Sequence, residues 1–190
     1  MNEEFLIIAI TRPEFFHGEA ERINEILKKK EAHFIHIRKP QAKALEIENL
    51  ITAIDPQFYN RIKLHDQFEL LEKYPLGGVH LNSRNANYLP GNCSISKSIH
   101  SLKEVSSTNG LDYFFLSPIF ESISKPGYKK SWNYEELSAE IAEKRAIALG
   151  GVTPERLPLL RSLNFYGAAL LSHFFPVTDF NLSVEETELN

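Results

Sequence analysis

A single (β/α)8 barrel, a compact TIM barrel of the α/β class, is the fold that this sequence predicts. Short β-like apolar runs alternate with amphipathic segments along the chain, eight such runs are present, and no glycine-rich turn follows the first of them. Alternation at this spacing argues for a parallel sheet with helices packed outside it. A doubly wound open sheet would carry glycines after its first strand, where this chain has Thr11-Arg12-Pro13-Glu14-Phe15.

The runs expected as strands are Phe5–Thr11, His33–Arg38, Arg61–His65, Gly78–Asn82, Cys93–Ser98, Asp112–Ser117, Ala146–Gly150 and Tyr166–Ser172. Helices are expected over Gly18–Lys30, Ala42–Ile54, Phe68–Tyr74, Leu102–Ser107, Tyr134–Lys144 and Pro154–Leu163. In the first of these, Ile23, Ile26 and Leu27 form one apolar stripe among Glu and Lys, the pattern of a helix with one buried face. Asn82 to Asn92 reads as a loop. The 190 residues fall short of the roughly 250 typical of such barrels, so the last helix is expected to be short or missing. Residues 1–182 are read as one barrel and 183–190, SVEETELN, as a polar tail.

Composition narrows the function classes. Hydrophobic residues at 43% and charged residues at 24% suffice for a packed core. One cysteine, Cys93, excludes an internal disulfide and a cysteine-built zinc site. A net charge of −4 sets up no field for nucleic acid or an anionic membrane, and no apolar run reaches the ~18–20 residues of a membrane span. The start, MNEEFLIIAIT, is acidic before its apolar stretch, the reverse of a secretory signal. The expectation is a cytoplasmic protein with no nucleic-acid or membrane partner, and a homo-oligomer is compatible with it.

Side chains alternate along a strand, so each run can be split into faces. Ile35 and Ile37 oppose His36 and Arg38; Ile62 and Leu64 oppose Lys63 and His65; Val79 and Leu81 oppose His80 and Asn82. Ser96 and Ser98 share a face, and Ser117 closes the sixth run. The apolar faces suit packing against outer helices, which turns the polar faces inward and collects them near the strands' C-terminal ends, where barrels place their sites. An inward Arg38 with Lys63 nearby requires a compensating negative group, either Asp66 in a structural ion pair or a bound phosphate; the convergence of polar strand ends favours an anionic ligand. Gly150-Gly151, followed by Thr153-Pro154 as a helix start, and Leu170-Leu171-Ser172 lie after the seventh and eighth runs, where barrels often bind phosphate. The loop Ser117–Gly127 carries hydroxyls, Lys125 and a glycine, groups able to wrap a pyrophosphate, although solvated loops share this composition. Trp132 and Cys93 read as packing residues, and His33 and His173 lack companions for a metal site. No nucleophile elbow, P-loop or HExxH is present.

The stretches FIHIRK, IKLHD, GVHLNSR, SKSIHS, DYFFLSPIFESISK, AIALGGVTPERL and GAALLS, in this order from Phe5 to about Phe175, resemble the thiamine-phosphate synthase/TenI family. The resemblance implies a barrel that joins hydroxymethylpyrimidine pyrophosphate to thiazole phosphate, with or without its carboxylate, and releases pyrophosphate with Mg²⁺. Carried over by position, Arg38 would contact pyrophosphate, with Ser122, Ser124 and Lys125 as its loop clamp and Ser98 holding leaving-group oxygens. Asp66 and Asn85 would face the metal. His36 and His65 would contact substrate, and Gly150, Gly151 and Ser172 would serve the thiazole phosphate.

The chain also departs from the synthase pattern. Pro40 stands where the family has a lysine, with Lys39 one position earlier; His65 replaces an asparagine, Asn85 a metal-binding carboxylate, and Asn82-Ser83 a Gly-Gln. FIHIR, KSIHSLKE and GGVTPERL look like the TenI branch, some of whose members are thiazole tautomerases. Their histidine falls at Pro118 here, so a tautomerase would need another base, His80 or His100. A non-catalytic paralogue that binds thiazole phosphate is the third reading.

Overall fold

The computed structural model describes residues 4–83, 85, 91, 93–121 and 132–176. Strands β1 (Leu6–Ile10), β2 (Phe34–Ile37), β3 (Ile62–Leu64), β4 (Gly78–Leu81), β5 (Ser94–Ile99), β6 (Tyr113–Leu116), β7 (Ala146–Ala148) and β8 (Gly167–Leu170) pair in chain order. Every pairing is parallel, and Ile8 lies opposite Ala169 where β8 closes on β1. The eight expected runs are therefore the eight strands, and the closed barrel is the fold formed.

Helices α1 (Glu19–Lys28), α2 (Ala44–Ala53), α3 (Tyr134–Ile141) and α4 (Leu157–Ser162) pack outside. Their ends are set locally. The Glu46 carboxylate accepts the Lys43 N–H at 2.8 Å before α2, and Asn133 Oδ1 accepts the Glu135 and Glu136 N–H groups at 3.0 and 3.3 Å before α3. Both satisfy donors that a helix start leaves without intrahelical partners.

Two of the helices expected from sequence take a tighter form. Phe68–Glu72 and Leu102–Thr108 are 3-10 helices, and Pro154–Arg156 is a 3-10 turn leading into α4. Segments this short do not offset the nucleation cost of an α-helix, whereas 3-10 turns close with fewer residues. Thr153 stands at the cap position of that turn, but its side chain makes no capping bond. A further 3-10 helix at Pro56–Arg61 was not expected; Asp55 caps it, accepting the Gln57 N–H at 3.0 Å. Beyond β8 the described chain makes only a turn, so no helix follows the last strand before residue 176. The boundary expected at residue 182 and the tail 183–190 lie outside the described residues. No described helix is long and apolar enough to cross a membrane.

Alternation divides the core in two. Ala9, Ile35, Ile37, Leu64 and Val79 face outward onto α1 and α2 residues such as Ile23, Ile26, Ile47 and Ile51. Inside the barrel, Ile8, Ile10, Tyr113, Phe115, Ile147 and Ala169 form a separate cluster from β1, β6, β7 and β8. The remaining arc, β2 to β5, carries His36, Lys63, His80 and Ser96, all fully or almost fully buried. The barrel interior is thus apolar on one side and polar on the other. Cys93 lies just before β5 and is half-buried, and Trp132 packs against the outer core while donating its indole N–H to Pro118 O at 2.7 Å.

β4 begins at a position that tolerates no side chain. Gly78 has φ +145, and a Cβ there would sit 2.0 Å from the Ser94 carbonyl oxygen, a backbone atom of the neighbouring strand. Gly78→Ala is expected to cost roughly 2–4 kcal/mol through strain and separation of β4 from β5. Urea unfolding of the variant beside the wild type measures this; an unchanged midpoint would contradict the packing.

Candidate active site at the mouth of the barrel

The polar arc holds two hydrogen-bonded sets, centred on His36 and His80, whose rings meet edge-on at 5.4 Å. His36 Nδ1 lies 2.9 Å from His65 Nε2, and His36 Nε2 lies 2.7 Å from the Tyr113 hydroxyl. His80 is held at both nitrogens, Nδ1 by Ser96 Oγ and Nε2 by Ser98 Oγ, each at 2.9 Å. Ser96 donates onward to Val79 O at 3.2 Å. The His65 and His80 rings stack 4.2 Å apart, and Phe115 packs 4.5 Å from His80.

Burial, with His80 and Lys63 beside it also disfavouring a proton, holds His36 well below the ordinary histidine pKa. Burial, with Lys63 and Arg38 nearby, brings His80 down to about 3. Both are neutral at physiological pH, because an imidazolium in this interior would lose its hydration among existing cations. Ligand atoms of His36, His65 and His80 lie within 4.8 Å of one another, near enough for a metal ion. Five of their six ring nitrogens are already engaged in the hydrogen bonds above, and two cations face the cluster, so it is read as a hydrogen-bonded floor.

Sequence reasoning placed Lys63 with Arg38 beside a shared anion or Asp66. The structure separates them. Lys63 pairs in register with Gly78 at the start of β4, so its side chain serves the N-terminal end of the barrel. There its ammonium donates to Ser94 Oγ and Gly77 O and lies over the Phe34 and Tyr113 rings, 4.8 and 5.2 Å from their centroids. Burial brings Lys63 down to about 8, with Asp112 and Cys93 opposing the shift. Lys39 also turns away from the mouth. It is buried with its ammonium 2.6 and 2.8 Å from the Glu19 carboxylate oxygens and 2.8 Å from Glu14 O. Burial lowers the Lys39 pKa and raises that of Glu19, the desolvation cost of an ion pair taken out of water.

Arg38 remains at the C-terminal end of β2. Its backbone N–H donates to Thr11 Oγ1 at 2.9 Å, its side chain is half-buried, and no described carboxylate forms an ion pair with it. Nearby, Asn82 Nδ2 donates to His65 O at 2.8 Å and approaches Asp66 Oδ1 at 3.4 Å. Asn85 Nδ2 donates to the same His65 carbonyl at 2.9 Å, and its Oδ1 accepts the Asn82 N–H at 2.7 Å. Asp66 and Asn85 thus converge on one turn. The pair offers one carboxylate and one neutral oxygen already accepting a hydrogen bond, a set that fits Mg²⁺ where substrate phosphates complete the shell.

The opposite rim is built by close approach of two loops. Gly151 has φ +62, and a Cβ there would lie 2.3 Å from Glu121 O; Phe120 N–H donates to Gly150 O at 3.0 Å. This brings the segment after β6 against the glycines after β7, with the exposed Ser172 following β8. The exposed His100 at the end of β5 is 3.0 Å from Ser117 O through Nδ1. Of the site residues expected from sequence, Arg38, His36, His65, Asp66, Asn85, Ser98, His100, Gly150, Gly151 and Ser172 lie on the inner face or at the C-terminal strand ends. Ser122, Ser124 and Lys125 lie outside the described residues. The network members missed from sequence are Ser96, whose pairing with His80 needs the register, and Tyr113, hidden in the apolar run Tyr-Phe-Phe-Leu.

The sequence profile of thiamine monophosphate synthases matches residues 7–174. The chain belongs to this family. A crystal structure of thiamine phosphate pyrophosphorylase from Bacteroides thetaiotaomicron shares 31% identity, covering 95% of this chain and 90% of that one with a TM-score of 0.82. Thiamine phosphate pyrophosphorylase from Pyrococcus furiosus matches at 19% identity, 93% and 90% coverage and TM-score 0.73. Phosphoribosyl anthranilate isomerase from Thermus thermophilus matches at 16%, 92% and 90% coverage and TM-score 0.55; these two similarities speak to the fold alone. No curated protein sequence matches. Against the synthase pattern, Lys39 does not substitute for the family lysine replaced by Pro40, because its ammonium is committed to Glu19.

Two stability measurements test these assignments. The Lys63 value of about 8 lies below the roughly 10.4 of an unfolded lysine, so between these limits the unfolded chain binds the extra proton and stability rises with pH. The rise in unfolding free energy from pH 8 to 10 is expected to be smaller in Lys63→Met than in the wild type. Lys39→Ala, which strands Glu19 without its cation, is expected to cost about 3–5 kcal/mol in chemical unfolding at pH 7.

Proposed function

We propose that this family member is a transferase condensing hydroxymethylpyrimidine pyrophosphate with thiazole phosphate or its carboxylate to give thiamine phosphate. The observation that carries the reading is Arg38: a half-buried arginine just past the C-terminal end of β2, without a described carboxylate partner and near enough to the neutral His80 to act on it. Such a cation is suited to the departing pyrophosphate, where charge develops as the methylene carbon–oxygen bond breaks. The thiazole nitrogen forms the new bond to the pyrimidine methylene carbon as pyrophosphate departs, and a carboxylated thiazole in addition loses its carboxylate as CO2. Asp66 and Asn85 would hold Mg²⁺, which when bound supplies charge neutralisation to the leaving group. The neutral floor leaves Arg38 and the glycine rim as the anion-binding parts, with the rim serving the thiazole phosphate. Small phosphorylated molecules in the cytoplasm are its proposed partners, and a homo-oligomer is consistent with the reading.

One observation favours a second reading, a TenI-like tautomerase. His100 lies against the Ser117 carbonyl, next to Pro118, where family tautomerases carry their histidine. A carbonyl only accepts, so this contact favours a proton on Nδ1.

Purified protein given hydroxymethylpyrimidine pyrophosphate, thiazole phosphate carboxylate and Mg²⁺ should form thiamine phosphate, read as thiochrome fluorescence. Arg38→Met should lower kcat/KM by about a hundredfold or more, and Asp66→Ala should abolish product or raise the Mg²⁺ concentration that turnover requires. Tautomer exchange without condensation, lost in His100→Ala, would replace this reading with the second. Thiazole phosphate binding with neither reaction would make the protein a binding paralogue.

A further inference from the structure

One cation of the rim keeps a donor unmatched. Leu6, Ile8 and Ile10 line the inner face of β1, and the Thr11 N–H carries the ladder one residue further by donating to His36 O at 3.0 Å. Arg12 comes next, at the C-terminal end of the barrel, while Thr11 Oγ1 accepts the Arg38 N–H at 2.9 Å and ties the ends of β1 and β2 together. On its other side Arg12 meets the chain leaving β8, where its Nη1 donates to Pro176 O at 3.4 Å. Leu171 O accepts the Phe174 and Phe175 N–H groups at 3.2 and 2.9 Å, so Ser172 and Pro176 belong to one compact turn. Arg12 therefore stands between that turn and the strand end that bears Arg38.

The resting place of Arg12 is poorly matched. Its side chain is half-buried, and its Nε is buried with no hydrogen-bond partner among the described residues. The guanidinium carbon lies 5.4 Å from the centroid of the Phe16 ring, a contact that leaves the Nε hydrogen without an acceptor, and a buried donor of a charged group left so is costly. No described ion pair includes Arg12. Glu19 feels its charge, but both Glu19 oxygens are committed to Lys39 at 2.6 and 2.8 Å. The neighbouring arginines are engaged. Arg22 donates to Phe174 O at 3.2 Å and pairs with Glu25 at 2.9 Å. Arg156 donates to Gly151 O and lies 4.5 Å from the Phe120 centroid. Of the three, Arg12 is held by the weakest contacts.

We propose that Arg12 binds a phosphoryl group of the ligand at the rim between β8 and β1, supplying the charge that Gly150, Gly151 and Ser172 lack. A phosphate offers a guanidinium several acceptors, arranged for two parallel bonds. Swinging away from Pro176 O gives up one long contact and relieves the buried Nε. Barrels often bind phosphate at the loops after the seventh and eighth strands, and Arg12 reaches this region from β1, a strand end to which sequence reasoning assigned no site residue. In this division Arg38 serves the pyrophosphate. That the phosphoryl group at Arg12 is the one on the thiazole rests on the transferase reading.

Calorimetric titration of the wild type, Arg12→Gln and Arg12→Lys with inorganic phosphate, thiazole phosphate, its dephosphorylated alcohol and pyrophosphate tests this. Arg12→Gln should weaken both inorganic phosphate and thiazole phosphate by about tenfold or more and leave the alcohol unchanged, with Arg12→Lys recovering part of the loss. Equal phosphate affinities in the wild type and Arg12→Gln overturn the proposal. So does an equal loss for the alcohol, which marks a residue that only shapes the pocket. Thiazole phosphate should suffer more than pyrophosphate; the reverse order gives Arg12 to the leaving group and overturns its place at the rim. In nitrogen-15 NMR of the wild type, the Arg12 Nε–H resonance, assigned by its loss in Arg12→Lys, should shift on adding inorganic phosphate, and a resonance that stays in place overturns direct contact. Inorganic phosphate bound through Arg12 without thiazole phosphate binding removes the transferase reading and keeps the phosphate site. Failure of the wild type to bind either phosphate overturns the site itself.

Discussion

Every polar group that points into a barrel built from strands of three to six residues must find its partner among the other inward side chains. Water has little access there, and an unmatched donor or acceptor carries the full cost of its desolvation. Much of the chain follows from this constraint. The arc from β2 to β5 carries imidazoles, hydroxyls and a lysine, and they pair off in sets: His65 and Tyr113 with His36, Ser96 and Ser98 with His80, and Lys63 with Ser94 and the Gly77 carbonyl. The neutrality of His36 and His80 and the depressed pKa of Lys63 have one cause, the absence of solvent around a charge.

The same constraint sorts the cations. Lys63 is held at the closed end by a hydroxyl, a carbonyl and two aromatic faces, and Lys39 by Glu19 behind the first helix. Neither has an ammonium to offer an anionic ligand. Arg38, just past the C-terminal end of β2, has its backbone fixed by Thr11 and a half-buried side chain in no described ion pair. On the proposed transferase reading, this leaves anion recognition to Arg38 and to the glycine rim. The glycines after β7 let the chain after β6 come within backbone contact, giving that rim its shape.

Much of this was legible in the residue order. The period-two split of Ile35 and Ile37 from His36 and Arg38 describes the barrel wall correctly, because alternation is a property of the extended backbone itself. The glycine pair after the seventh strand and the arginine after the second stood out for the same local reasons. Helix type was less legible: Phe68–Glu72 and Leu102–Thr108 carry helical patterns, yet length and tertiary packing left them as 3-10 turns. The pairing of Lys63 was misplaced because sequence reveals which face a residue occupies and not which end of the barrel its long side chain serves.

By itself, the sequence determined the strand count, the inward and outward faces, the family and the residue types available at the mouth. These depend on local periodicity and on short motifs that survive without knowledge of neighbours. Tertiary structure alone decided which polar residues meet: that Ser96 bonds His80, that Tyr113 bonds His36, and that Lys39 belongs to Glu19. Those contacts join residues 16 to 77 positions apart, and their existence depends on the register and closure of the barrel, which bring side chains within 3 Å that the chain order holds far apart.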